Sequence, residues 1–553
     1  MTAPAPSTHA TGHAHPVPPT EIAPAALGES PAHFEPRDAI DNAPAGSGDR
    51  PMGQTAAVGF MLMAGQSIAT RVLVFVAQIV LAKLLTKDQF GLYGVAMSIV
   101  AYATLAQQIG VREFLVSRQR RFALWANAGF WMSAGFGMLG ALGLVAAAPI
   151  AARVFQDPSL FWMLLILAAA QPTYTLTLVQ EARLQTHLRF KYIALCQFVF
   201  GVLTPAMQIV LAVAGLGVYA FVLPRLIAGV VRWWMYARAA PVGVRADPQV
   251  RRWRYILGPG VTLLLTGIAY TIGPSVPTLL LARAVSTEAA GEFTFAYNLS
   301  LQVLMLLSMQ IDSVLFPTLG KMEGQPERQR AALLRASRAL AAVMAPVCLY
   351  QIAAAEPLVL LVFGQKWAQA ILPLQIMSVG MLFAGSFATA HSMLQAHGRF
   401  GTRLVIATLW GVLSALGSIA GILLAPPEWG VAAGAIALSI GYAAFGVHTY
   451  VAAVRPLGGG ILDALRVLCS PLLVGALAMG AGMLAGRFVP VPSAPAWAAL
   501  ALRALAIGVA GGATYLILLR VLAPGLWTDL ESVAGPLIRR VFPNCGLGRG
   551  RTA

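Results

Sequence analysis

The chain has 553 residues, of which 58% are hydrophobic and 11% charged, and its mean hydropathy is +0.73. Soluble domains carry about 25% charged residues, so this composition excludes a soluble protein and indicates an integral membrane protein. The formal charge of +17 does not indicate a nucleic-acid partner, because Lys and Arg are spread over many short loops instead of gathered on one patch.

Residues 1–52 are rich in Ala, Pro, His and Ser and lack the apolar core of a signal peptide, which predicts a disordered cytoplasmic tail. His9, His13 and His15 stand there without a Cys or a second cluster, so no metal site is expected. Cys196, Cys348, Cys469 and Cys545 are too widely separated for a disulfide framework or a zinc spacing. Apolar runs of roughly 20 residues then recur near 57–82, 90–111, 123–149, 160–182, 192–214, 218–237, 255–281, 293–317, 333–355, 370–395, 402–424, 430–451, 466–486 and 498–519. They predict an all-α polytopic membrane protein of about fourteen transmembrane helices.

With a cytoplasmic N-terminus, every second loop should be basic. The loops so placed hold about 22 Lys and Arg, among them Arg112, Arg189, Lys321, Arg399 and Arg466. The alternate loops hold about seven, such as Lys87, Arg153 and Lys366. Both termini are therefore expected in the cytoplasm.

The chain also repeats itself. Leu81-Ala82-Lys83, Asp88, Gly91 and Ala96 recur as Leu281-Ala282-Arg283, Glu288, Gly291 and Ala296, and Leu184-Gln185-Thr186-His187-Leu188-Arg189-Phe190 recurs as Leu394-Gln395-Ala396-His397-Gly398-Arg399-Phe400. Six spans, an even number, separate the copies, so both halves enter the membrane from the same side. The expected organisation is an N-terminal six-helix lobe at 53–240 and a parallel C-terminal lobe at 241–455 around a central cavity. Two additional helices at 456–521 and a cytoplasmic tail at 522–553 complete it. Gly482, Gly486, Gly508 and Gly512 lie at helix-contact spacing in the added pair.

The run Gln78 to Tyr93 resembles the opening of bacterial polysaccharide-export flippases of the multidrug/oligosaccharidyl-lipid/polysaccharide superfamily. So do Leu315-Phe316-Pro317-Thr318-Leu319 with Pro326-Glu327-Arg328, and Glu356-Pro357-Leu358-Val359 followed by Phe363-Gly364-Gln365-Lys366-Trp367. The resemblance spans roughly residues 57 to 455. It implies a V-shaped pair of lobes that carries an undecaprenyl-diphosphate-linked oligosaccharide between membrane leaflets, in some members coupled to an ion, H+ or Na+. Membrane lipids, a polysaccharide polymerase and export proteins are the further partners implied. The two extra spans also resemble the lipid II flippases of the same superfamily.

No phosphate-binding loop and no catalytic constellation occurs, so neither ATP hydrolysis nor an enzyme is expected, and no cofactor. A glycan polymerase or ligase would need a larger outside loop, and a drug exporter would favour acidic residues inside its spans. Ionisable groups deep in the membrane are costly and mark the site. Arg71 shares a face of the first span with Ser67 and Gln78, where its guanidinium can meet a diphosphate with two parallel hydrogen bonds, and Gln66 is a further binding candidate. Arg225, after Pro224, is the second cation; an internal structural pair is the alternative for Arg71 and snorkelling to the interface the alternative for Arg225. Asn298 and Gln302 suit sugar hydroxyls or helix-to-helix bonds. Asp312 is a coupling candidate. Gly273, Pro274 and Pro277 predict a bent or interrupted span 7 that serves as the hinge. His187 and His397 suit a headgroup anchor or a pH sensor.

Overall fold

A bilayer core offers no water to the backbone, so a spanning chain must bond its own N–H and C=O groups. This chain does so with helices. They are α1 (69–84), α2 (Lys87–Thr104), α3 (Val111–Ser117), α4 (Phe122–Val154), α5 (Ser159–Thr175), α6 (Thr177–Thr186), α7 (Phe190–Val213) and α8 (Tyr219–Ala239). Then follow α9 (Val250–Ala284), α10 (Thr287–Gly320), α11 (Pro326–Ala353), α12 (Ala355–Val362), α13 (Ile371–Ser386), α14 (Thr389–Ala396), α15 (Phe400–Leu424), α16 (Gly430–Val454), α17 (Ile461–Arg487) and α18 (Ala496–Leu522). The structure, a computed structural model, describes residues 69–105, 110–118, 121–320, 325–489 and 495–528. The expected tail at 1–52 and the positions Gln66 and Ser67 lie outside the described residues, as does the chain after 528.

Among the described residues ten helices are long and apolar enough to cross a membrane. The sequence reading expects fourteen. The four that differ are α1, described only from 69, α2, which opens on Lys87-Asp88-Gln89, α8, which carries Arg225, Arg232 and Arg238, and α10, whose side chains from 305 to 320 lie outside the described ones.

Helices α1 to α8 and α9 to α16 pack in one repeated pattern. In the first set α4 lies on α5, α5 on α8, α7 on α8 and α2 on α4; in the second α11 lies on α13, α13 on α16, α15 on α16 and α10 on α11. The repetition reaches single residues. Thr70 of α1 fills the space before Gly201 of α7, as Ala269 of α9 fills that before Gly411 of α15. Thr86 caps α2 by accepting from the Gln89 N–H at 3.3 Å, and its counterpart Ser286 caps α10 by accepting from the Ala289 N–H at 3.1 Å. Each cap satisfies one of the donors a helix start leaves open.

The repeated Leu-Gln-x-His-x-Arg-Phe segments end α6 and α14 in the same way. The Arg189 N–H returns to the Leu184 carbonyl and the Arg399 N–H to the Leu394 carbonyl, each at 2.9 Å. The imidazoles of His187 and His397 bond the carbonyls four residues earlier, Arg183 at 2.8 Å and Met393 at 3.0 Å. These histidines therefore finish helix ends. The turn needs a left-handed residue, supplied by Gly398 (φ 64°) and by Leu188 (φ 54°).

The added pair α17 and α18 packs on α11. Asp463, 2% exposed, accepts two parallel bonds from Arg330, and the Tyr515 hydroxyl donates to the Ala342 carbonyl at 2.7 Å. Gly482 lies against the Ile507 carbonyl of α18, where a Cβ would come within 2.6 Å, and Gly508 faces the Tyr350 ring of α11. Gly512 meets open space; Gly511 takes the contact expected of it, against Met479 and Ala478.

Candidate functional site

The two repeats meet along α2 and α10, and counterpart residues meet each other. Gly91 lies on the Thr287 carbonyl and Gly291 on the Lys87 carbonyl, so that a Cβ would come within 1.9 and 2.1 Å respectively. Only glycine lets the two backbones approach this closely. One turn on, Gly94 faces the Thr294 side chain. Tyr102 then faces Ser275 of α9 across the seam, and its counterpart Gln302 bonds Gln78 of α1. From Lys87 to Tyr102 is about 22 Å of helix.

Polar and aromatic groups close the Lys87 end. Lys87 Nζ pairs with Glu292 at 2.6 Å and bonds Gln369 at 2.6 Å, while Thr287 donates to Asp88. Lys366 Nζ donates to the Ala82 carbonyl at 2.9 Å and to the Leu85 carbonyl, and Trp367 Nε1 donates to the Ala82 carbonyl at 3.0 Å. Beneath them Phe90, Phe295, Phe363 and Trp367 interlock, with Phe295 stacked on Trp367 at 4.1 Å and Phe90 edge-on to it at 5.0 Å.

The interior of the first half is charged. Arg225 donates to the Tyr93 hydroxyl at 3.3 Å, and the Tyr174 hydroxyl donates to the Arg225 carbonyl at 3.4 Å. Arg232, two turns further on the same face of α8, lies over the rings of Tyr174, Phe200 and Tyr236 at 5.5–5.8 Å. It pairs with Glu181 of α6 at 3.4 Å, and Arg112 of α3 pairs with the other carboxylate oxygen at 3.2 Å. Burial opposes the charge on Arg112, but Glu113 and Glu181 outweigh it and raise its pKa above the ordinary arginine value. Glu181 is 3% exposed, so two guanidinium groups compensate a carboxylate taken out of water.

In the second half the corresponding space holds hydroxyl and imidazole pairs with a guanidinium beside them, Arg403 over the Tyr270 ring at 5.6 Å. The hydroxyls of Tyr297 and Tyr442 lie 3.0 Å apart, and Tyr270 approaches His391 at 3.5 Å. His391 stacks on Phe445 at 5.3 Å. Gln351 donates to the Leu299 carbonyl and accepts from Ser378.

Of the residues named from sequence, Gln78 and Gln302 are brought together and Arg225 lies among tyrosines. Arg71 is half-buried on α1 and Asn298 half-buried on α10. The Asp312 side chain lies outside the described ones. Helix α9 runs unbroken through Gly273, Pro274 and Pro277, and the Thr278 hydroxyl donates to the Pro274 carbonyl at 3.1 Å. The expected interruption is absent. Sequence reading singled out neither Arg232, within the span at 218–237, nor Glu181, at the end of the span at 160–182, and so missed their buried pair. The seven-residue spacing from Arg225 to Arg232 was the available signal.

Among the described residues no group of three or more His, Cys, Asp or Glu could hold a metal ion.

Comparison with known proteins extends these observations. Over 314 residues the chain is 25% identical to the Succinoglycan biosynthesis transport protein ExoT of Rhizobium meliloti (strain 1021), covering 56% of this chain and 63% of that protein, less than two thirds of its length. Over 359 residues it is 24% identical to the Lipopolysaccharide biosynthesis protein WzxC of Escherichia coli (strain K12), covering 60% of this chain and 69% of that one. In fold it is similar to the Lipid II flippase MurJ in an inward closed conformation, with a TM-score of 0.65 at 14% identity over 87% of this chain and 100% of that one. The family described as polysaccharide biosynthesis protein matches residues 80–372, more than half of the chain, and the chain belongs to that family.

Proposed function

We propose that this protein moves an undecaprenyl-diphosphate-linked oligosaccharide from the cytoplasmic to the periplasmic leaflet of a bacterial inner membrane by alternating access, for exopolysaccharide or O-antigen synthesis. The observation that carries the proposal is the seam: two halves of equivalent packing touch through equivalent residues, Gly91 with Thr287 and Gly291 with Lys87. Two such bodies can rock about their contact and expose a shared space alternately. In this proposal α1 to α8 and α9 to α16 supply six spans each as parallel lobes, α17 and α18 bring the total to fourteen, and both termini are cytoplasmic. The sealed Lys87 end then faces the periplasm.

Arg225 and Arg71 supply the cationic surface for the diphosphate, because a guanidinium matches phosphate oxygens with paired donors and stays charged when partly buried. Gln78, Gln302 and Asn298, with Gln66 and Ser67, offer amides and a hydroxyl to sugars. Asp312 takes the role of coupling carboxylate for H+ or Na+. The Gly273 to Pro277 stretch flexes as the lobes move, its prolines having removed two backbone donors. A polymerase and export proteins receive the product.

A second reading, a lipid II flippase, is favoured by the likeness of fold and by the added pair α17 and α18. Both readings require a diphosphate site. They part in the cargo: deletion of the gene should leave a lipid-linked oligosaccharide on the cytoplasmic leaflet, and mass spectrometry of that lipid tells a polysaccharide repeat from a peptidoglycan precursor. If neither accumulates, and the purified protein moves neither in vesicles, the proposal fails.

A further inference from the structure

The Phe363 to Trp367 motif marks the family resemblance, and transport as described leaves it without a role. Its side chains act on the other half of the protein. Helix α1 ends at 84, and a helix end leaves its last carbonyls without partners. The Ala82 carbonyl takes Trp367 Nε1 at 3.0 Å and Lys366 Nζ at 2.9 Å, and the Leu85 carbonyl takes Lys366 Nζ as well. Ala82 and Trp367 are fully buried. An ammonium at a helix C-terminus also faces the negative end of the helix dipole.

The counterpart turn in the first half does nothing comparable. Phe155 and Phe363 each end a helix, and the next residues, Gln156 (φ 55°) and Gly364 (φ 88°), share the left-handed turn. Asp157 and Pro158 follow where the second half has Gln365 and Lys366. Asp157 accepts from the Ser159 N–H at 2.7 Å, so this turn caps its own helix α5. The Leu81 and Leu281 carbonyls are met alike by the chain's own Leu85 and Val285 N–H groups, so what sets the end of α1 apart is the hold of Lys366 and Trp367 on Ala82 and Leu85.

We infer that Lys366 and Trp367 are gate-positioning residues, a one-sided latch by which the second half holds the end of α1 and keeps the periplasmic side shut. Opening that side requires both residues to leave the α1 carbonyls. This rests on the proposed sidedness and alternating access but not on the identity of the cargo.

The test uses the full-length protein with Thr294→Cys, a near-isosteric change at a position buried in the seam opposite Gly94. A membrane-impermeant maleimide is added to spheroplasts, and Lys366→Met without the added cysteine gives the background from the native thiols. Lys366→Met should speed labelling of Thr294→Cys about tenfold, and Lys366→Arg, which keeps a cation and donors, should restore protection. Equal labelling in Lys366→Met and its parent, at equal protein level, overturns the latch. So does labelling that rises only in inside-out vesicles. Should Lys366→Met fail to accumulate, Trp367→Phe carries the same test, since it keeps the ring and removes one donor, and unchanged labelling in it also overturns the latch. No cargo is needed for this readout, so raised labelling together with absent lipid transport would sink the cargo proposal and leave the latch standing.

Discussion

The two halves share a scaffold and differ in what they enclose. In the first, Arg112, Glu181, Arg232, Tyr174, Arg225 and Tyr93 form a file of charged and phenolic groups from α3 to α2. In the second, the counterpart of Glu181 is His391, set between Tyr270 and Phe445, and the neighbouring pair is Tyr297 with Tyr442. Their first helices differ too. The C-terminal end of α1 is held by Lys366 and Trp367 of the second half, whereas the N-terminal end of α9 is held by the first half, where Arg252 donates to the Leu124 carbonyl at 2.7 Å and Trp253 packs on Gly135. Duplication thus preserved the contacts that let two bodies meet, while charge and straps diverged.

The sharpest way to break this contrast is to remove the carboxylate at its centre. Glu181→Ala leaves the largely buried Arg232 without its carboxylate, while the half-exposed Arg112 keeps Glu113, and should destabilise the protein by about 2–3 kcal/mol, seen as a lowered Tm of the purified protein in detergent. His391→Gln, at the counterpart position, should cost only about 1 kcal/mol, the scale of one neutral hydrogen bond. Equal losses at both positions would erase the distinction between a half built around a buried carboxylate and one with an imidazole in its place.

Next in size, Arg225→Ala should lower glycan export about a hundredfold, equivalent to ~2.7 kcal/mol, with Arg225→Lys retaining part of it. Full export by the alanine variant at normal protein level would remove Arg225 from the site. The seam can be tested as a pair: Gly91→Ala and Gly291→Ala each push a methyl group into a backbone carbonyl and should each cost about 1–3 kcal/mol of stability. Unequal effects measured by thermal unfolding would show that the two-fold relation at the seam is only approximate. The smallest effect expected is at the repeated turn. Leu188→Gly should stabilise by about 0.5–1 kcal/mol, because glycine carries no penalty in the left-handed conformation, and Gly398→Ala should lose about as much. Thermal unfolding of both variants checks the sign.

Much of the fold was legible because hydropathy and spacing record where each stretch sits. Runs of apolar residues gave the helices, and Asp88, Gly91, Glu288 and Gly291 showed the duplication. Fourteen spans were expected against ten that qualify by length and hydropathy among the described residues, since helices such as α8 and α2 carry polar groups that serve the interior and dilute their apolar signal. Of the site, Arg225, Gln78 and Gln302 could be named because polar residues stand out in an apolar span. Glu181 and Arg232 could not, since near a span's end a charge bound for solvent and one bound for a buried pair look alike. Two prolines argued for a broken α9, yet the helix continues, because neighbours in a packed bundle can take up what a proline leaves free.

By itself the sequence determined the class of protein, the duplication and the groups too polar to face lipid. Only the tertiary structure decided which residue answers which: Gln302 to Gln78, Lys366 to the end of α1, Gly91 to the backbone of α10. The reason is physical. In a membrane the same apolar and small residues suit lipid and helix alike, so local pattern carries the preference for burial but not the identity of the partner, which is fixed when whole helices come within reach of one another.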